Sequence, residues 1–144
     1  MNVLGVDRVI IATDELDDAT DRFGRLLGIP FGDRLKVATQ TDAGEQPVAN
    51  RLSPSGIEFV TPRSDDGAVA DFLERNGPGL YAVSLRVTDL ERAVAELDER
   101  GVESIGRFES AGVTEAFYHP ADFEGAFVIL AEYDAPHPME TALE

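Results

Sequence analysis

Cysteine is absent from the 144 residues, which removes disulfides, thiolate metal sites and cysteine nucleophiles from consideration. No apolar run approaches the roughly 18–20 residues that a membrane helix needs. The first residues, MNVLGVDRV, lack a charged region followed by an apolar stretch, so no signal peptide is read and a cytoplasmic location is the expectation. Basic residues are scarce: 12 Lys and Arg stand against 28 Asp and Glu, and Lys36 is the single lysine. A net charge of -16 repels nucleic-acid phosphates and anionic membranes, so neither is expected as a partner. The acidity reads first as genomic bias or a salty cytoplasm. Arginines selected for forked recognition of carboxylate or phosphate are the sharper reading, and it applies only to buried ones. What is present is an ordinary globular composition, 43% hydrophobic, at a length that suits one domain with a sizeable core.

Residues 9–13 form a β-branched and apolar run, expected as a strand. A helix follows, with Leu16, Ala19, Phe23, Leu26 and Leu27 at helical spacing, Asp14 as N-cap and Gly28 as its stop. Strands are expected at 35–41, 47–52 and 57–61, separated by turn residues. In the connector, Val69, Phe72 and Leu73 suggest a short helix, broken at 76–79. The pattern then restarts with a strand at 82–87 and a helix lined by Leu90, Ala93, Val94 and Leu97. Thr88 and Glu91 stand at capping-box spacing, and Gly101 closes that helix. Strands near 104–109, 113–119 and 126–133 complete the chain, and the proline-containing acidic tail 134–144 is expected to be flexible.

An offset of about 74 places Val9 on Val83, Ile11 on Leu85, Leu16 on Leu90 and Ala19 on Ala93. A duplicated strand–helix–strands unit accounts for this better than a solenoid. The fold expected is α+β: two tandem βαβββ modules form a curved mixed sheet around a cavity, with helices outside. Residues 1–133 make one domain, with module one at 5–62, a linker at 63–79 and module two at 80–133. Strand parity puts Val83, Leu85 and Val87 against helices and turns Ala82, Ser84 and Arg86 towards the concave face. That face is either a ligand cavity or an ordinary solvated surface.

Four segments, 6–12 (VDRVIIA), 57–62 (IEFVTP), 71–80 (DFLERNGPGL) and 117–120 (FYHP), together resemble the vicinal oxygen chelate superfamily over about residues 5–133. That superfamily includes glyoxalase I, bleomycin-resistance proteins and methylmalonyl-CoA epimerase, and the likeness is nearest to the epimerase branch. The resemblance implies a divalent ion held by four side chains. Carried across, those positions are Arg8, Glu58, Ala82 (with Tyr81 before it) and Ile129. Only Glu58 is a legitimate ligand type: alanine and isoleucine offer no donor atom, and arginine keeps its proton and repels a cation. His119, in a turn, and His137, in the tail, do not repair the set. No metal and no other cofactor is therefore expected; a shifted register bringing in Glu132 is the alternative.

Arg8 either replaces the ion's charge, binding a ligand carboxylate or enolate in a forked contact, or forms a structural salt bridge with Glu58. Arg86 is placed to add a second contact. Glu58 is the candidate general base. Tyr81, Phe117, Phe127 and Tyr118 are aromatic walls or core. Two functions follow. One is a small-molecule-binding protein whose cavity takes a small organic ligand, carboxylate or aromatic, at Arg8, Glu58, Tyr81, Ala82, Ser84, Arg86, Phe117, Phe127 and Ile129. The alternative is a metal-independent isomerase, epimerase or lyase acting on an oxo-acid or acyl-CoA, with Glu58 as base and Arg8 as stabiliser. CoA would need arginines along its path, for which Arg8, Arg34, Arg51, Arg86 and Arg107 are the candidates. A homodimer is implied by the resemblance.

Overall fold

The computed structural model describes residues 1–110, 112–134, 136–137 and 139–144. Its elements are β1 (Val3–Ala12), α1 (Leu16–Leu27), β2 (Leu35–Thr41), β3 (Gly44–Ser53), β4 (Ile57–Pro62), α2 (Ala68–Asn76), β5 (Gly79–Val87), α3 (Leu90–Glu99), β6 (Gly106–Ser110), β7 (Val113–Tyr118) and β8 (Phe127–Tyr133). The eight strands close into a mixed barrel in the order β1-β4-β3-β2-β6-β7-β8-β5. β1 lies parallel to β4 and β5 parallel to β8, while β1 and β5 run antiparallel. The β1/β5 junction is long, from Val3↔Val87 to Ala12↔Gly79. The opposite junction, β2/β6, is only Gln40↔Arg107 and Thr41↔Gly106. Gly106 makes it possible, because a Cβ there would stand 2.9 Å from the Gln40 carbonyl oxygen.

Parity sorts the strands into an inner and an outer face. Outside, Leu16, Ala19 and Phe23 of α1 pack on Ala49, Phe59 and Ile57. Leu90, Ala93, Val94 and Leu97 of α3 pack on Val83, Leu85, Val87, Tyr118 and Leu130. Inside, Ile10, Ala12, Val60, Ala82, Phe117 and Ile129 form a cluster with Val69 of α2. Ala82 and Ser84 therefore face inward and the Val83 row outward, as parity implies.

Several local expectations are corrected. Leu26 and Leu27 are not part of the packed stripe, being 65% and 64% exposed; α1 ends at Gly28 in a left-handed conformation before that turn reaches the sheet. The N-cap of α1 is Glu15, not Asp14; the Thr13 hydroxyl accepts from the Glu15 N–H. The cap of α3 is Asp89, accepting from Arg92 N–H, rather than a Thr88–Glu91 box, and Glu132 accepts from the Leu90 N–H. The tail read as flexible folds back at its described residues: His137 and Met139 are buried, and a Cβ on Gly32 would collide with the backbone of Ala142. Composition points to fraying, but two buried side chains hold the segment down.

Candidate functional site

The barrel encloses a cavity of about 750 Å³, within the ~300–1,000 Å³ usual for small-ligand sites. Its walls are largely apolar: Ile10, Val48, Val60, Phe117, Phe127 and Ile129 line it, with Tyr81 and Phe108. Tyr81 stacks on Phe127 at 5.0 Å between ring centroids and meets Phe72 edge-on at 5.3 Å. Burial first, and then the Asp71 charge, push the Tyr81 hydroxyl well above the ordinary phenol range, so it stays protonated.

A polar network closes the inner end. Arg8 lies on β1, 6% exposed, and every group that holds it comes from another inner row or from its neighbour in the chain. Arg8 Nε donates to Glu58 Oε1 at 2.7 Å. Nη1 donates to Asp7 Oδ2 at 2.7 Å and to Ser84 Oγ at 3.1 Å. Nη2 donates to Glu115 Oε2 at 2.7 Å. A guanidinium has five N–H donors, so one on Nη2 is left. Asn50 Nδ2 donates to the second Glu58 oxygen at 3.3 Å. The Tyr133 hydroxyl donates to Asp7 Oδ1, and the Ser84 hydroxyl to Asp7 Oδ2.

These contacts set the protonation states. Burial alone would lower the Arg8 pKa, but Glu115 and Glu58 outweigh it and hold it well above its usual value. Burial opposes the Asp7 carboxylate too, yet the Tyr133 hydrogen bond and Arg8 bring its pKa below the usual range. Glu115 moves the other way: burial, then the nearby carboxylates Glu58 and Asp7, outweigh Arg8 and raise it. The Tyr133 hydroxyl is pushed up to about 12 by burial and its bond to Asp7. His137 also lines the cavity, and burial followed by the Arg8 charge lowers its pKa; its Nδ1 accepts from the Met139 N–H.

Of the residues singled out from the sequence, Arg8, Glu58, Tyr81, Phe117, Phe127 and Ile129 line the cavity together. Ser84 lies one step back, as a partner of Arg8. Ala82 is core, packed with Ile10 and Ile129. Arg86 is directed elsewhere: Nη2 donates to the Tyr133 carbonyl at 2.9 Å, and the guanidinium lies 4.0 Å over the Tyr133 ring. Tyr118 is fully buried in the outer core beneath α3, not in the cavity. His119 is exposed and caps a short 3₁₀ turn, accepting from the Ala121 N–H. Sequence reading missed Asp7, Asn50, Glu115 and Tyr133, and set His137 aside as a tail residue. Glu115 carried a signal, as the one acid on the Val113–Phe117 inner row.

The donor set does not fit a divalent ion. A guanidinium occupies the first position and engages the Glu58 carboxylate, Ala82 and Ile129 are apolar core, and Glu132 is turned to the α3 N-terminus. Among the described residues no group of three or more His, Asp or Glu side chains is arranged to hold a metal.

The family model of the Glyoxalase/Bleomycin resistance protein/Dioxygenase superfamily matches residues 7–119. The chain belongs to that superfamily. It is 28% identical over 133 residues to the uncharacterized protein YqjC of Bacillus subtilis (strain 168), covering 88% of this chain and 91% of that protein. The crystal structure of methylmalonyl-CoA epimerase from Mycobacterium tuberculosis superposes with a TM-score of 0.75 at 26% identity, covering 92% of this chain and 89% of that one. A Streptomyces coelicolor methylmalonyl-CoA epimerase variant in complex with 2-nitronate-propionyl-CoA gives 0.74 at 20% identity, covering 93% and 100%, a likeness of fold. No helix among the described residues is long and apolar enough to cross a membrane.

Proposed function

We propose that this protein is a small-molecule binder of the glyoxalase/bleomycin-resistance type that works without the usual metal. The observation that carries this reading is the position of Arg8. The side chain that replaces the first metal ligand spends four of its five donors on Glu58, Asp7, Ser84 and Glu115. A forked contact to a ligand carboxylate needs two free donors, so Arg8 organises the floor and does not grip an anion. The walls above it supply apolar area, which is the main source of affinity for a small ligand.

The two-module reading is supported by the order of elements, since β1-α1-β2-β3-β4 and β5-α3-β6-β7-β8 repeat one pattern around α2. A homodimer accords with the exposed Leu4 and Val6 on β1.

The test is titration with Nile red, a neutral apolar fluorophore. One equivalent is expected to bind with a blue-shifted emission, and Val37→Trp, which directs extra volume into the cavity, is expected to abolish it. Binding that Val37→Trp leaves intact would place the dye elsewhere and remove the support.

A proton-transferring enzyme is the second reading, favoured by the raised pKa of Glu115. In it Glu115 replaces Glu58 as the acid–base group, because both Glu58 oxygens are occupied by Arg8 and Asn50. An acyl-CoA is a poor fit to the arginines. Arg34 and Arg51 pair with Asp17 at 3.6 and 3.4 Å, Arg107 pairs with Glu91, and Arg86 is taken by Tyr133. Solvent deuterium appearing in methylmalonyl-CoA with the wild type, and not with Glu115→Gln, would replace the binder by this reading.

A further inference from the structure

The network at the closed end of the cavity has two ends, and neither is satisfied. At one, Asn50 must turn its amide nitrogen to Glu58 Oε2, because a carboxylate only accepts. Its carbonyl oxygen is then left buried with no partner among the described residues. At the other, Glu115 is 5% exposed and gives Oε2 to Arg8, while Oε1 has no partner among the described residues. Both residues line the cavity. The Asn50 oxygen has almost no accessible surface, so Glu115 Oε1 is the acceptor presented to whatever fills the space. Leaving such groups dry is costly, so the occupant is selected for what it can donate.

Charge narrows the choice further. One guanidinium, Arg8, sits among three carboxylates, Asp7, Glu58 and Glu115. The remaining charged groups lining the cavity are Lys36 against Asp42 and Asp66. Negative groups exceed positive ones at both levels. An anionic head group would meet unpartnered oxygens and one spare N–H. A neutral hydroxyl satisfies one acceptor and leaves the charge imbalance. An ammonium supplies several donors and the missing charge together. The net charge of -16 favours the approach of cations as well.

We propose that the cavity takes an amphipathic organic cation, an amine with its N–H donors directed at Glu115 Oε1 and an apolar or aromatic body against Tyr81, Phe117 and Phe127. This assignment rests on the binding reading above and names its ligand class.

Three fluorescent probes with one body and different heads test it: dansylcadaverine, which is cationic, its N-acetyl derivative, which is neutral, and dansyl-ε-aminocaproate, which is anionic. A charge-assisted hydrogen bond predicts that the cation binds the wild type roughly tenfold to a hundredfold tighter than the neutral probe, with the anion weakest. Glu115→Gln is expected to bring the cation and the neutral probe within about threefold of each other, with circular dichroism showing that the variant is folded. The ranking in the wild type decides the matter even if the variant does not fold. A neutral or anionic probe that binds as tightly as the cation overturns the cation assignment, and so does failure of all three to bind. Nile red separates the two levels: if it still binds in the cavity the binder stands without its ligand class, and if it does not both fall.

Discussion

Replacing Arg8 by methionine removes the one cation from the floor of the barrel and leaves its carboxylates where they are. Glu115 loses its only partner among the described residues, Glu58 keeps Asn50, and Asp7 keeps the hydroxyls of Tyr133 and Ser84. All three carboxylates are at most 9% exposed at the side chain. Breaking a buried pair by deleting one partner costs about 3–5 kcal/mol, most of it the penalty of the stranded charge. At about 2.1 cal/mol/K per residue, 144 residues unfold with an entropy of about 0.3 kcal/mol/K. The loss therefore corresponds to a fall in Tm of roughly 10–17 °C. The sign with pH follows from linkage. Glu115 is already raised with Arg8 present and rises further without it, so its stranded charge costs nothing below its unfolded value of about 4, and the penalty grows as pH rises through its folded value. Thermal unfolding followed by circular dichroism at about pH 5 and about pH 8 should show a deficit that shrinks in acid. Adding Glu58→Leu and Glu115→Leu to Arg8→Met should recover most of the loss at neutral pH, since apolar groups can replace a buried ionic cluster at little cost. A fall of less than about 3 °C in Arg8→Met, or a deficit that does not change with pH, would refute the account of Arg8 as the hub of a dry network.

The wild type should also carry the signature of Glu115. Its folded pKa is raised, so the stability it contributes is present below the unfolded carboxyl value and lost as pH rises through the folded one. Glu115→Gln, which cannot ionise, should flatten that loss in a series of Tm values against pH; an unchanged slope would assign it to another group. Tyr133→Phe removes the O–H donor to Asp7 and should cost about 1–3 kcal/mol. It should also raise the Asp7 pKa, so that in NMR titration the Asp7 carboxyl protonates at higher pH than in the wild type. No change in that midpoint would dispose of the Tyr133–Asp7 bond.

The fold was legible because it is written in parity and periodicity. Val83, Leu85 and Val87 alternate with Ala82, Ser84 and Arg86, and the alternation assigns each row to a face without further information. Leu26 and Leu27 misled because helical spacing shows which side chains share a stripe, not how far the underlying sheet extends. The candidate site was half legible. Arg8 and Glu58 sit where the family's motif directs attention, and both reach the cavity. Glu115 and Asn50 sit on β7 and β3, strands that carry no ligand in the metal-binding pattern, so resemblance was silent about them. Parity was not: each occupies an inner position between apolar inner neighbours, Glu115 between Val113 and Phe117, Asn50 between Val48 and Leu52. His137 had no such pointer. Its burial depends on the tail returning to the barrel, a long-range contact that composition does not encode.

A guanidinium and a divalent ion organise the carboxylates around them differently. An ion of charge +2 is a point around which carboxylates and substrate oxygens can exchange places. A guanidinium carries +1, is planar, and directs its donors along fixed lines. In this barrel those lines end on Glu58 of β4, Ser84 of β5, Glu115 of β7 and Asp7 beside it, which ties strands of both halves of the chain to one side chain. The arrangement favours rigidity. It also leaves the floor short of positive charge, because three carboxylates share one cation. A divalent ion would draw substrate oxygens towards it, whereas this floor presents oxygens of its own. A molecule that completes the floor brings donors and positive charge with it.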